Sequence, residues 1–271
     1  MTGQPLLRGA RTLVMGVVNV TPDSFSDGGA FRDARQAIDH ALRLEDEGAD
    51  LLDIGGESTR PGAEPVSEEE ELRRVTPVIE GLTGRVETPI SIDTMKPRVA
   101  AAALELGARI VNDVTGLRDP AMLPVLLKHR AAAILMHMRG TPATMRDLTD
   151  YADVVAEVRD WLVDRAEGAR LAGVREVAID PGIGFAKTPL QSFVLLRRFG
   201  EFTATGYPVV AGASRKSFLG LLEGQTRVED RLEGSLAAAV IAVLAGAAIV
   251  RVHDVRATCR AVAVAEAVRG S

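Results

Sequence analysis

The segment LVMGVVN, residues 13–19, is the first of eight short apolar runs that decide the fold of this chain. Each run is rich in Val, Ile, Leu and Ala, as in strands buried on both faces of a parallel sheet, and nearly every run ends in a polar residue that a buried strand does not need. The other seven runs are LLDIGG (51–56), PISID (89–93), RIVND (109–113), AAAILMH (131–137), EVAIDPG (176–182), PVVAGAS (208–214) and AIVRVH (248–253). Parallel strands whose polar ends converge on one site are therefore predicted.

Amphipathic helical stretches separate the apolar runs, so strand and helix alternate along the chain. Gly48 and Gly107 stand where helices usually stop, and Ser67 followed by three acidic residues is typical of a helix N-cap. The predicted helices cover about 33–47, a segment after Ser67, 97–106, 119–128, 151–172, 189–199, a split region within 216–245, and 255–268. Two long loops, after the first and second strands, are expected to be mobile.

Length and composition favour one domain over residues 1–271. The chain has 46% hydrophobic and 25% charged residues, and its length is that of a single (β/α)8 barrel of about 250 residues. A formal charge of −5 gives no global attraction to nucleic acid or to an anionic membrane surface. The single cysteine, the lack of a long apolar stretch and the lack of a signal peptide predict a cytoplasmic protein.

Two architectures fit this alternation of strands and helices. An open doubly wound sheet usually carries GxGxxG after its first strand, whereas TPDSFSDGG follows the first strand here. A closed barrel gathers all eight strand ends on one rim, and seven of the eight runs end in polar residues that such a rim would focus on one pocket. The closed (β/α)8 TIM barrel is therefore the predicted fold.

Three strand-end residues predict a site for a flat heterocycle. Asp93, Asn112 and Asp180 each end an otherwise apolar run, and a purely structural role would require each buried group to be satisfied by backbone. An ionised Asp only accepts hydrogen bonds, whereas Asn both donates and accepts, so together they suit a ring with adjacent N–H groups and acceptors. Asn19, near Asp23, suits a hard cation such as Mg2+, although a loop-capping role fits it equally well.

Basic residues near the last two strands predict an anion site. Arg251 and His253 are two residues apart on a strand, so their side chains point to the same face. In the segment GASRKS, Lys216 and Ser217 follow Gly212 at the entry to a helix. Barrels often bind phosphate near strands seven and eight, so this region is interpreted as a receptor for diphosphate and carboxylate groups.

Taken together, seven motifs closely resemble those of the dihydropteroate synthase family, and they occur in order over essentially the whole chain. The first two are highly specific, and no motif position departs from the family pattern. The motifs are VMGVVNVTPDSFSDGG (14–29), DIGGESTRPGA (53–63), SIDT (91–94), VNDVTG (111–116), DPGIGFAKT (180–188), GASRKSFLG (212–220) and RVHDV (251–255). The resemblance implies a transferase of folate biosynthesis, the target of sulfonamides, that joins 6-hydroxymethyl-7,8-dihydropterin diphosphate to 4-aminobenzoate.

By that resemblance each motif acquires an expected role. The pterin would be held by Asp93, Asn112, Asp180, Gly212 and Lys216, with Met136 and Phe185 lining its pocket. Diphosphate and Mg2+ would be held by Asn19, Arg251 and His253, and 4-aminobenzoate by Phe25, Thr59, Arg60, Pro61 and Ser217. Asp23, Arg60, Asp93 and Lys216 are the expected catalytic residues, and the resemblance also favours a homodimer.

Two other functions share part of this pattern. A pterin-dependent methyltransferase barrel would read the pterin with similar Asp and Asn residues, but it needs neither TPDSFSDGG, GESTRPGA nor the R-V-H strand end. A noncatalytic pterin-binding relative would be expected to lose a loop or a diphosphate residue, and none is lost. The sequence leaves sulfonamide sensitivity open.

Overall fold

A computed structural model of the protein describes residues 5–20, 30–60, 62–221 and 227–270. Eight parallel strands form the centre of the molecule, and all eight were predicted from the sequence. The strands are β1 (Leu13–Asn19), β2 (Leu51–Gly55), β3 (Ile90–Asp93), β4 (Ile110–Asp113), β5 (Ala132–Met136), β6 (Val177–Asp180), β7 (Val210–Ala211) and β8 (Ile249–Val252).

The sheet curls into a barrel, as predicted. Its strand order is β6-β5-β4-β3-β2-β1-β8-β7, and each neighbouring pair is parallel. The remaining gap lies between β6 and β7, where a parallel bridge joins Ile179 to Val209 and the amide of Ile179 donates to the carbonyl oxygen of Pro208 at 2.9 Å. β7 is only two residues long, so this seam is the weakest part of the barrel wall.

Side chains alternate between the barrel axis and the surrounding helices, as the period of two along a strand requires. Leu52, Ile54, Ile92 and Val111 belong to the large cluster shared with the helices. The opposite set fills the lower barrel and consists of Met15, Leu51, Ile110, Ala132, Ile134, Ala178, Val210 and Ile249, with Leu7 packed against them. This inner set is a dry apolar plug that closes the end of the barrel opposite the strand C-termini.

The helices form an outer layer around the barrel. Among the described residues, no helix is long and apolar enough to span a bilayer. Their bounds are α1 (Ala30–Asp46), α2 (Glu68–Leu82), α3 (Pro97–Glu105), α4 (Met122–His129), α5 (Val154–Leu171), α6 (Pro189–Arg197), α7 (Gly200–Thr203), α8 (Leu232–Leu244) and α9 (Val255–Gly270). All the predicted helices are present, and the additional four-residue α7 follows α6 directly.

Side-chain caps explain where several helices begin. Ser67 caps α2 as predicted, its hydroxyl accepting from the amide of Glu70 at 3.2 Å. α5 begins at Val154 rather than at Tyr151 because Asp153 is its N-cap and accepts from the amides of Val155 and Ala156. The predicted start of α4 at Asp119 is also early, since residues 119–121 form a turn before the helix.

The segment after β7 is less helical than predicted. Short 3-10 helices cover Ser217–Leu221 and Glu229–Arg231, and the α-helix starts only at Leu232. Ser217 therefore lies at the start of a 3-10 turn, not at the N-terminus of a long α-helix. Most of the loop after β1 lies outside the described residues, and the mobility of both long loops stays a prediction.

The inner apolar plug makes a direct stability prediction. Ile134 is fully buried in the plug, so Ile134→Ala is expected to lower the free energy of unfolding by about 2–5 kcal/mol through lost burial and a residual cavity. Leu171→Ala is the control, because Leu171 is 89% exposed and its truncation should change stability by less than about 0.5 kcal/mol. Urea unfolding of both variants tests this, and equal losses would show that Ile134 is not a core residue.

Candidate active site

A polar layer lies directly above the apolar plug, at the C-terminal mouth of the barrel. Its residues follow plug residues by two positions along their strands, except on β3, where the residue two positions before Asp93 is the buried Ser91, so they also face the axis. The layer contains Asp53 on β2, Asp93 on β3, Asn112 on β4, Met136 on β5, Asp180 on β6, Gly212 after β7 and Arg251 on β8. The structure thus brings the predicted pterin residues Asp93, Asn112 and Asp180 to one place.

Arg251 joins two buried carboxylates at the centre of this layer. Its Nε donates to Asp53 Oδ2 at 2.6 Å, and its Nη2 donates to Asp93 Oδ2 at 2.7 Å. Asn112 Nδ2 donates to the same Asp53 oxygen at 3.0 Å. Asp53 is fully buried and Asp93 is 8% exposed, so these charges interact in a medium that screens them weakly.

Two carboxylate oxygens in this cluster have no donor among the described residues. Asp53 Oδ1 and Asp93 Oδ1 are buried and accept no hydrogen bond there, and the Ser91 hydroxyl on the same face is also without a partner. Burial raises the pKa of Asp93, with Arg251 opposing this effect and the carboxylate of Asp53 adding to it. Buried acceptors without donors are costly, so this cluster is more than a structural layer of satisfied polar groups.

Asp180 and Lys216 form the opposite side of the pocket. Asp180 Oδ1 accepts from the amide of Gly182 at 2.7 Å, and burial raises the pKa of Asp180 against the opposing charge of Lys216. Lys216 Nζ bonds to the carbonyl oxygen of Ile183 and lies 4.4 Å from the centre of the Phe185 ring. Burial lowers the pKa of Lys216 to about 8.

Gly212 leaves open the space between these two groups. A Cβ atom at this position would lie 3.6 Å from Asp180 Oδ2 and 3.8 Å from Lys216 Nζ. A Cβ atom would thus be in ordinary van der Waals contact with both groups, and the substrate-binding role of Gly212 stays a prediction. Gly182 is constrained more strongly, because its φ is +64° and a Cβ would lie 2.1 Å from the carbonyl oxygen of His137.

The apolar wall of the pocket contains Met136 and Phe185, as predicted. Both belong to a small cluster with Val114, Met138 and Met145. Thioether and aromatic side chains offer polarisable surfaces on which a flat ring can stack.

His137 lies outside the polar layer and has a packing environment. Its ring meets Trp161 edge-on at 5.0 Å, and burial lowers the pKa of His137 to about 2. Lys187 Nζ lies 3.1 Å from His137 Nδ1 and donates to the carbonyl oxygen of Phe185 at 2.9 Å. The contact with Trp161 directs the His137 ring toward α5 rather than into the pocket, so His137 has a structural role, and the predicted lining of the pocket by its side chain is not observed.

The predicted diphosphate residues separate into two groups. Asn19 and His253 line one cavity between the barrel mouth and α1, together with Arg43. His253 Nδ1 lies 3.1 Å from the Ser214 hydroxyl. Burial lowers the pKa of His253 to about 3. The positive charges of Arg251, Arg215 and Arg60 add to this lowering, and the negative charge of Asp254 opposes it. Arg251 instead bonds to the carboxylates of Asp53 and Asp93. It therefore lies among the predicted pterin residues and not only at the predicted anion site.

The predicted aminobenzoate residues are only partly within the described structure. Thr59 is half-buried and Arg60 is exposed on the loop after β2, and Ser217 is exposed after β7. Arg60 lies close enough to His253 to contribute to its lowered pKa. Asp23, Phe25 and Pro61 lie outside the described residues.

Asp53 and Lys187 were missed as site residues. Asp53 was visible as a lone carboxylate inside an apolar strand, and its two-residue spacing from Leu51 could have placed it on the axis. Lys187 follows β6 in an irregular loop, where no periodicity predicts the direction of a side chain.

Comparisons with known proteins agree with this geometry. A family model described as a pterin binding enzyme matches residues 15–253. The dihydropteroate synthase of Synechocystis sp. is 47% identical over 96% of this chain and 91% of that protein. The structure of Xanthomonas albilineans dihydropteroate synthase with 4-aminobenzoic acid has a TM-score of 0.91 and 49% identity, covering 97% of this chain and 94% of that chain.

A second Xanthomonas albilineans structure holds 7,8-dihydropteroate and has a TM-score of 0.87 at 45% identity, covering 97% of this chain and 95% of that chain. The barrel and its polar mouth, together with the matched model, define the class of pterin-binding enzymes. The chain belongs to the dihydropteroate synthase family within this class.

The buried ammonium group of Lys216 makes a stability prediction with a defined sign. The pKa of Lys216 is lowered from 10.5 to about 8, so the folded state binds fewer protons than the unfolded state between these values. The burial of the charged Lys216 side chain therefore destabilises the folded state fully below about pH 8, and this destabilisation is lost as the pH rises to about 10.5. Lys216→Met removes this destabilisation and also the positive charge that favours the Asp180 carboxylate, so the stability of the variant relative to wild type is expected to be about 1–2 kcal/mol higher at about pH 7 than at about pH 10.

Urea unfolding of both proteins at about pH 7 and about pH 10 measures this difference, which should shrink at the higher pH. Lys128→Met is the matched control, because the Lys128 side chain is 68% exposed. A stability difference for Lys216→Met that stays constant with pH would contradict the assignment.

Proposed function

We propose that this chain condenses 6-hydroxymethyl-7,8-dihydropterin diphosphate with 4-aminobenzoate to give 7,8-dihydropteroate and diphosphate in folate biosynthesis. The observation that carries the proposal is the convergence of Asp93, Asn112 and Asp180 at the barrel mouth, where the Oδ1 atom of Asp93 has no donor among the described residues. The related structures with 4-aminobenzoic acid and 7,8-dihydropteroate support the same pair of substrates and product.

The pterin fits the polarity of the pocket. The N–H groups of an aminopyrimidinone ring would donate to Asp93 and Asp180, and the amide of Asn112 can both donate and accept. Lys216 would donate to a ring acceptor, while Met136 and Phe185 line the apolar wall. Asp93 would also stabilise positive charge that develops on the pterin during the reaction.

Diphosphate is expected to leave from the side of the pocket nearest His253. Arg251 and His253 would neutralise the charge that grows on the leaving group, and preorganised charges of this kind are often the largest catalytic contribution. An electron-rich dihydropterin can bear the resulting methylene cation, so the substitution would be dissociative. The arylamine then attacks this carbon without a protein base to activate it.

Mg2+ is the proposed cofactor, and the available donors fit it. Mg2+ prefers oxygen ligands, keeps several waters and commonly binds through substrate phosphates. In the part of the chain that the structure describes, no group of three or more His, Cys, Asp or Glu residues could hold a metal ion, which fits a cation held chiefly by diphosphate with Asn19 as its protein ligand. Bound there, Mg2+ would add to the neutralisation of the leaving group.

The arylamine is expected to bind beneath the loop after β2. Thr59, Arg60 and Ser217 border the mouth on this side, and Phe25 and Pro61 are proposed to complete the subsite. Closure of the two long loops would exclude water, which would otherwise hydrolyse the cation. Asp23 and Arg60 are the loop charges proposed to assist.

We also propose a cytoplasmic homodimer that uses α8 and α9. These helices pack side by side, and Ile241, Leu244 and Val264 expose 47%, 46% and 65% of their surfaces. Contiguous exposed apolar side chains are typical of protein interfaces. Because sulfonamides imitate 4-aminobenzoate, the proposed arylamine subsite would also be their target.

Turnover of the purified protein tests the proposed function. Incubation with the dihydropterin diphosphate, 4-aminobenzoate and Mg2+ should release diphosphate and dihydropteroate in equal amounts. A folded sample that binds pterin but forms no product would instead be a noncatalytic pterin-binding relative.

The diphosphate assignment is tested by Arg251→Ala. Loss of a charge-assisted hydrogen bond is expected to weaken Mg2+-diphosphate binding about 10- to 100-fold in calorimetry. Arg251→Lys keeps the positive charge between Asp53 and Asp93 and should lose less affinity. Unchanged diphosphate affinity in Arg251→Ala would refute the assignment.

A further inference from the structure

A buried group of three charges lies beside the active site, outside the proposed reaction machinery. Lys96 Nζ lies 2.6 Å from Glu57 Oε2 and also bonds to Glu71 Oε2. The side chains of Glu57, Lys96 and Glu71 are 7%, 19% and 1% exposed. We call these three residues the acidic triad. Buried charges are costly unless they are paired, and Lys96 pairs with both carboxylates, while Glu71 Oε1 has no hydrogen-bond partner among the described residues.

The acidic triad ties three separate elements together. Glu57 lies at the beginning of loop 2, which we define as residues 56–67 between β2 and α2. Glu71 is buried on the first turn of α2, and Lys96 is the N-cap residue of α3. The triad therefore joins the start of loop 2 to two helices of the outer layer.

Glu57 also joins the two ends of loop 2 to each other. Its Oε1 accepts a hydrogen bond from the amide of Val66 at 3.0 Å, while its Oε2 bonds to Lys96. The loop is thus closed at its base by a single carboxylate. Thr59 and Arg60 follow within three residues of this closure, and the amide of Gly62 bonds to the carbonyl oxygen of Pro142 across the mouth at 2.9 Å.

We propose that the acidic triad positions loop 2 for the arylamine substrate, with Glu57 as the positioning residue that sets where Thr59 and Arg60 lie. This inference rests on the proposed function, because it assigns loop 2 to 4-aminobenzoate. Glu57 contacts neither reacting group and acts through the backbone of the loop. A fixed loop base lowers the entropy that must be lost when the loop orders around a substrate.

Glu57 is the most informative residue to change. Glu57→Ala releases the base of loop 2 but leaves Lys96 paired with Glu71, so no unpaired buried charge results. Changing Lys96 would be less specific, because it would leave the buried carboxylates of Glu57 and Glu71 without the cation that they share. Glu57→Gln keeps one acceptor oxygen, which can replace the bond from Val66 or the bond from Lys96 but not both, so it serves as a partial rescue.

Glu69→Ala is the matched control. Glu69 pairs with Arg98 and so also joins α2 to α3 through an ion pair, but this pair is exposed and does not contact loop 2. Glu57→Ala and Glu69→Ala therefore each remove one carboxylate near the contact between α2 and α3. Only Glu57→Ala should change the loop.

Steady-state kinetics with each substrate varied in turn gives the first readout. Glu57→Ala is expected to raise the KM for 4-aminobenzoate about tenfold, as loss of one charge-assisted hydrogen bond predicts, with the KM for the pterin diphosphate changed by less than about twofold. Glu57→Gln should restore part of the loss, and Glu69→Ala should match wild type. Inactive wild-type protein would refute the proposed function. If wild type is active and Glu57→Ala leaves both KM values unchanged, or raises both equally, this inference is refuted.

Hydrogen exchange without substrates gives a second readout, which also applies if Glu57→Ala turns over too slowly for kinetics. The amide of Val66 should exchange faster in Glu57→Ala than in wild type, while α3 keeps its protection. Unchanged exchange at Val66, or a uniform increase over the whole chain, would overturn the positioning role.

Discussion

In a closed parallel barrel every second side chain of every strand must point to one axis, and the organisation of this protein follows from that constraint. The lower axial positions carry Leu, Ile, Ala, Met and Val and pack into a dry plug. Two residues further along, β2, β4, β6 and β8 carry carboxylates, an amide and a guanidinium, and β3 adds Asp93 above Ser91. The apolar plug and the pocket are thus consecutive layers of the same strands, so the packed core supports the residues of the pocket.

Charges in the upper layer are close to balanced but not fully satisfied. Arg251 bonds to both Asp53 and Asp93, yet each carboxylate keeps one buried oxygen without a donor among the described residues. The opposite side, Asp180 with Lys216, shows the cost of such burial as a raised pKa for Asp180 and a lowered pKa for Lys216. A substrate that supplies N–H donors recovers part of that cost, so binding energy becomes specific for the ring that fits.

The outer parts of the site depend on loops rather than on strands. Loop 2 is closed at its base by Glu57 and held to α2 and α3 by Lys96 and Glu71. The strand ends can therefore hold one substrate rigidly while loop segments adapt to the second. This division agrees with the general pattern in which a fixed barrel rim carries variable βα loops.

The sequence by itself determined the eight strands, the order of the helices and the convergence of Asp93, Asn112 and Asp180, because periodicity and buried polar residues are local signals. It located the start of α2 at the Ser67 cap but placed the starts of α4 and α5 about three residues early, since turns and caps compete with helix propensity there. Only the tertiary structure decided that Arg251 joins Asp53 to Asp93, that Lys187 packs on His137, and that Lys96 closes loop 2 through Glu57. Those contacts connect residues far apart in the chain. A long side chain can reach several partners, and the local sequence does not show which of them it contacts.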